Sequence, residues 1–288
     1  MKFDIIKPAT RQFVAICAAA WTLGCGNNAS RAPSPTAYRW PDRFGYRVDL
    51  VAQAQRDSQL LVRYEETRVT RFLVREDRYV VASDSVLKTV QQLGAAPVPA
   101  RYAPEDTLAY YVGIGRHGEL SRVELGCDPA VPACAAALPS APRLQLRRII
   151  PRLSAWEAPR GSSWADTLEF DDVARPGGTR GSVITVYSAS SDTVIGGAAC
   201  WVVAWHSERR AYGPGTPSNP IAPLPPVRED GVTFIEKGRM IPVFSTWAGV
   251  SVASPDLRAF GATASGYRGR AYLVGSALDS IFGAESRR

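Results

Sequence analysis

The sequence predicts a mainly β fold: a curved antiparallel meander, half-barrel or barrel-like, with few short helices. From residue 44 onward, apolar and polar residues alternate with period two. The connections between these runs are short and carry glycine or polar turns, and helical periodicity is scarce.

Taken in order, the chain opens on a leader. Lys2, Lys7 and Arg11 supply positive charge ahead of the uncharged run Phe13 to Leu23, which is too short to cross a bilayer core of about 30 Å as a permanent helix. The end of that run, Trp21-Thr22-Leu23-Gly24-Cys25, resembles the lipobox of bacterial lipoproteins, with Thr22 where those boxes prefer leucine. The resemblance implies that Cys25 is acylated and becomes the new N-terminus. Because each buried methylene of an acyl chain contributes about 0.8 kcal/mol, such a cysteine holds a chain on a membrane without a spanning helix. Gly26, rather than aspartate, follows the cysteine. By resemblance to Gram-negative sorting, this implies the periplasmic leaflet of the outer membrane. The expected organisation is a signal peptide over 1–24, a flexible tether over 25–39, a β-rich body over 40–283 with sub-halves at about 40–154 and 155–283, and a tail over 284–288.

Composition narrows the function classes. Formal charge is +7, and the leader accounts for part of it through three cations against Asp4. The basic residues are overwhelmingly arginine and are scattered, so no nucleic-acid surface is expected. Cys17 leaves with the leader, and Cys127 and Cys134 enclose the short Asp-Pro-Ala-Val-Pro-Ala loop. In an oxidising compartment these two are expected to form a disulfide, contributing about 2.5 kcal/mol in the chain-entropy model. Cys200 is then a buried small hydrophobe.

Alternation marks strands at Phe44 to Leu50, Leu60 to Tyr64, Thr70 to Val74, Tyr79 to Ala82, Leu108 to Val112 and Leu120 to Leu125. Helix candidates are Ser85 to Leu93 and Leu144 to Leu153. After a break at Ala155 to Ser163, strands resume at Asp166 to Phe170, Ser182 to Ser188, Cys200 to Ser207, Gly231 to Glu236, Met240 to Val252 and Tyr267 to Ser276. The segment Tyr212 to Pro226 carries six prolines and is expected to be an exposed loop rather than a ladder strand.

One strand differs from the rest. Trp201, Val203 and Trp205 line one face, and Cys200, Val202 and Ala204 line the other, so both faces need a cover. In a curled sheet that cover is the hydrophobic interior on one side, and a helix, the returning chain or a lipid-like ligand on the other. The leader, the long meander, Trp164 after its Pro-Arg-Gly-Ser-Ser turn, and Gly196-Gly-Ala-Ala-Cys-Trp-Val-Val together resemble envelope lipoproteins with LolA- or LolB-like curved sheets. That resemblance implies acyl-chain binding on the concave face, with Trp201 and Trp205 as candidate ligand-binding residues.

Catalytic motifs are weak. Gly113-Ile-Gly-Arg-His-Gly118 matches a dinucleotide fingerprint as a string, but a strand-like run follows where a phosphate-binding helix is needed, so a hairpin turn is expected. Only His117 and His206 occur as histidines, which excludes a histidine-rich metal site. Cys200 and His206 lie about 20 Å apart along an extended strand, too far for a thiol dyad. The expectation is a non-enzymatic protein with no cofactor, bound to the membrane through Cys25 and binding an amphipathic ligand. The alternatives are an envelope scaffold with a self-packed sheet and a protein partner, and a hydrolase with an unfamiliar site.

Overall fold

A computed structural model describes residues 37–56, 59–100, 106, 108–121, 123–154, 161–174, 178–216, 219–252 and 264–275. Cys25 and the leader therefore lie outside the described residues, as do most of the tether and the tail. The elements in chain order are β1 (Arg43–Arg56), β2 (Gln59–Arg75), β3 (Arg78–Gln92), β4 (Val98–Pro99), β5 (Tyr110–Val112), β6 (Glu124–Leu125), α1 (Pro132–Ala136) and α2 (Ser140–Ile149). They continue as β7 (Ser163–Asp171), β8 (Arg180–Ile195), β9 (Ala198–Thr216), β10 (Asn219–Pro223), β11 (Val227–Glu236), β12 (Ile241–Val252) and β13 (Ala264–Leu273).

All thirteen described strands join one antiparallel sheet in the order β6-β5-β3-β2-β1-β13-β12-β11-β9-β8-β7, with β10 on β9 and β4 on β3. The sheet is curved but not closed. Its long strands bend at irregularities in register, between Ala54 and Gln55, Val69 and Thr70, Ala189 and Asp192, and Phe234 and Ile235. An extra residue at such a point kinks the strand and raises its twist, which lets strands of this length curl. Two wings result, β1 to β6 and β7 to β13, and they meet where β1 pairs with β13 from Tyr46↔Leu273 to Gln55↔Ala264. On the outer face Asp49 clasps that seam, accepting hydrogen bonds from Thr67 Oγ1 (2.9 Å), Arg270 Nε (3.1 Å) and the Tyr272 hydroxyl (3.0 Å).

The chain passes from β6 to β7 through α1 and α2, which carry it from one edge of the sheet to the other. This crossover contributes Leu146, Ile149, Ile150 and Leu153 to the main core, together with Tyr46, Val48, Phe72, Val81, Val203, Ile235, Val243 and Trp247 from the sheet. Stacked rings extend the core toward the start of β1, where Phe44 and Phe72 lie 4.4 Å apart between centroids.

Three sequence expectations are corrected. Ser85 to Gln92 is strand, the second half of β3, with Leu93 in the turn that follows, because β2 supplies ladder partners along it and pairing outweighs local propensity. The helix expected over Leu144 to Leu153 runs instead from Ser140 to Ile149. Pro142 sits in its first turn, where the missing N–H has no intrahelical acceptor to lose, and Pro151 turns Ile150 away from helical geometry. The proline-rich segment is part of the sheet: β9 continues to Thr216, and β10 pairs with it through Ile221↔Pro214 and Pro223↔Tyr212. Beyond Tyr212 the recorded ladder partner of β9 is β10 alone, and such an edge hairpin tolerates residues that lack a donor.

Candidate ligand-binding site

β9 positions both tryptophans named above. Val203 and Trp205 face the core, at 0% and 6% exposure, and Trp205 lies opposite Gly231 of β11. A Cβ added to Gly231 would sit 2.2 Å from the indole, so the ring lies flat across the neighbouring strand only because nothing projects from it. Trp247 of β12 lies over Gly269 of β13 in the same way, at 2.3 Å. Trp201 is only partly buried. It packs at the margin of the core, opposite the irregularity in β8, with Lys237 Nζ 5.3 Å from its ring. Cys200 is fully buried, and burial first, then Glu236, push its thiol up to about 11, which leaves it protonated and inert at neutral pH.

The cover over Trp205 is α2. The Trp205 indole N–H donates to Thr233 Oγ1 (3.3 Å), Thr233 and Ser245 share a hydrogen bond (3.0 Å), and the Ser245 hydroxyl donates to the Arg148 carbonyl (2.6 Å). That carbonyl belongs to the last turn of α2, where the helix itself offers no donor. Sheet side chains thus finish the helix. Arg147 reaches Asp166 of β7 at 3.1 Å, and Ser140 at the other end bonds Asp172. Around Trp205 the inner face is thus covered by this helix.

At the margin of α2 lies a charged group that the sequence reading did not single out. Arg148 grips Glu229 of β11 through its Nε (3.1 Å to either oxygen), and the Tyr267 hydroxyl of β13 also donates to that carboxylate. Burial alone would raise Glu229, but Arg148, the Tyr267 hydroxyl and Arg209 outweigh it and hold the carboxyl below the usual glutamate range. Arg209 of β9 has no carboxylate within ion-pair distance among the described residues. Burial, then repulsion from Arg148, pushes its guanidinium down from its ordinary value. A cleft here, bordered by Leu144, Trp205, Ser207 and Arg209, encloses about 30 Å³, or about 410 Å³ with its open mouth. The enclosed part has room for about two water molecules. Continuing the alternation of Val203 and Trp205 by two steps would have put Ser207 and Arg209 on this face.

The remaining candidates fall elsewhere. Cys127 and Cys134 form a disulfide with 6.0 Å between Cα atoms. Gly113 to Gly118 is a hairpin turn, closed by the Ile114↔Leu120 bridge, and its carbonyls are taken up structurally. Gly115 accepts from the Trp40 indole (3.0 Å), His117 from the Leu153 amide (2.8 Å) and Gly118 from Arg147 (3.0 Å). His206 is an exposed partner of Asp230 at 2.9 Å. Among the described residues no cluster of histidine, cysteine and acidic side chains could hold a metal ion, and no helix is long and apolar enough to cross a membrane.

No protein-family model and no curated protein matches the chain. Among solved structures it is similar to lipovitellin, described for its lipid–protein interactions, at 9% identity and a TM-score of 0.45. That match covers 82% of this chain, which spans only 25% of the lipovitellin chain. It is similar also to the hypothetical lipoprotein YmcC of Escherichia coli K12, at 9% identity and a TM-score of 0.26, with 93% and 97% of the two chains covered. A Bacteroides fragilis protein described as exported and of YmcC-like fold gives 10% identity and a TM-score of 0.24 over 82% and 97%. At such scores these likenesses carry no argument about ligand or activity.

Proposed function

We propose that this chain is a non-enzymatic lipoprotein of the cell envelope, held through acylated Cys25 at the periplasmic leaflet of the outer membrane, whose self-packed sheet serves as a docking body for another envelope protein. The observation that carries the reading is the occupied inner face around Trp205: among the described residues, α2 packs there and the cleft beside it encloses about 30 Å³. Dry apolar cavities that admit even benzene are several times larger, and an acyl chain needs more still. The leader and Cys25 support the membrane anchor.

A second reading rests on how α2 is held. Leu146 and Ile149 enter the main core and Leu144 packs at the margin of a small cluster of Leu168, Phe170, Val183 and Ala211, but the other attachments are polar: Ser140 to Asp172, Arg147 to Asp166 and Arg148 to Glu229. Polar contacts are re-formed with water when a helix swings out, so an amphipathic ligand could replace α2 on the inner face. Native mass spectrometry of the detergent-released full chain separates the two. The docking reading expects the bare acylated mass. A reproducible extra lipid mass, lost when α2 is cross-linked to β11, would establish the second reading and overturn the first.

A further inference from the structure

We propose that the cleft between α2 and β9 is a binding site for a small oxyanion, a phosphate or phosphate-bearing headgroup, held by Arg209 with the Ser207 hydroxyl. The proposal goes beyond the docking role and holds for α2 in the position described above.

Charge imbalance is the first argument. Three guanidinium groups, those of Arg147, Arg148 and Arg209, border the cleft. The carboxylates facing them are Asp166, which pairs with Arg147, and Glu229, which pairs with Arg148. Arg209 is left over. The Glu229 carboxylate, hydrogen-bonded by Arg148 and the Tyr267 hydroxyl, also faces Arg209, so one acid is shared between two guanidinium groups. Arg209 is half-buried with only a shared counter-charge, and an anion entering the cleft would complete its balance.

The second argument is the unused hydroxyl. Ser207 is 4% exposed, lines the same cleft, and makes no side-chain hydrogen bond among the described residues. Its oxygen opens onto the cleft, two residues before Arg209 on the same face of β9. A planar guanidinium fork beside a hydroxyl donor matches the oxygens of a phosphate. Only about 30 Å³ of the cleft is enclosed, so the anion would sit at its open mouth, with Arg209 and Ser207 beneath it.

The test is isothermal titration calorimetry on the detergent-solubilised full chain at constant ionic strength. Inorganic phosphate is the first titrant and dihexanoyl phosphatidylglycerol the second. Saturable one-site binding is expected, weakened about tenfold or more in Arg209→Gln and about threefold in Ser207→Ala. Binding of phosphate alone identifies a free anion, and binding of the phosphodiester alone identifies a lipid headgroup. Either supports the site. Absence of saturable binding to both, or wild-type affinity in Arg209→Gln, overturns it. Loss of folding would not explain a weakened variant, because removing an unpaired, partly desolvated cation is expected to leave the urea midpoint unchanged or raised. An unchanged lipid-free mass in the native experiment has no bearing on this outcome.

Discussion

Gly231 and Trp205 show how much a single missing side chain decides. The indole lies where a Cβ would stand, so Gly231→Ala forces either the ring or β11 to shift. Overpacking of that kind costs about 1–3 kcal/mol, and urea unfolding should record it. Combining it with Trp205→Phe, which shortens the ring system, should recover part of the loss. Glu229 offers a second measurement. Its folded pKa lies below the unfolded value, so the stability it contributes is fully present above about pH 4.3 and is lost as pH falls through the folded pKa. Unfolding free energy should therefore drop on acidification below that point. Glu229→Gln should start about 1–3 kcal/mol lower at pH 7, with Arg148 left unpaired, and show a shallower acid slope. At this scale the sequence was only partly legible. Period two correctly turned Val203 and Trp205 inward, whereas Trp201 lies opposite an irregularity in β8 that no feature of β9 announces.

Among the elements, α2 is fastened differently along its length. Leu146 is 3% exposed inside the main core, so Leu146→Ala should cost about 2–4 kcal/mol in chemical unfolding, while Leu144→Ala, on a partly buried margin, should cost clearly less. Equal losses would show that α2 packs along its whole face. The strands were easier to detect than to measure. Runs of a few residues were visible where β2 has 17 and β9 has 19, because charged residues on the inner face interrupt the apolar alternation. In β2 and β3 those residues are Glu66, Arg68 and Lys88. They neutralise one another and Asp106 in a buried network in which Arg68 Nε donates to Glu66 at 2.9 Å and the Tyr64 hydroxyl at 2.6 Å. A charge that is paired in the interior reads, in one dimension, as a surface residue. The proline-bearing β10 was hidden for the opposite reason, since its hairpin satisfies residues that a central strand could not.

For the whole molecule, the antiparallel character of the sheet followed from the alternation and the short turns, but whether the curved sheet closes, and its strand order, did not. The decisive pairing joins β1 to β13, and nothing local to either strand specifies the other. Deleting β13 removes the middle of the sheet rather than an edge. A chain ending before Ala264 should therefore lose cooperative unfolding altogether and become protease-sensitive in both wings, whereas loss of one wing alone would show that the halves fold separately. Asp49 and Arg270, which meet across that seam, are 221 residues apart in sequence. The ribosome thus releases one half of the central joint 221 residues before the other. Throughout that interval the inner margin of β1 offers bare amide and carbonyl groups to any neighbouring chain, a standing invitation to mispairing. A holding chaperone that shields the early strand until β13 emerges should therefore raise the yield more than one that acts on the finished product.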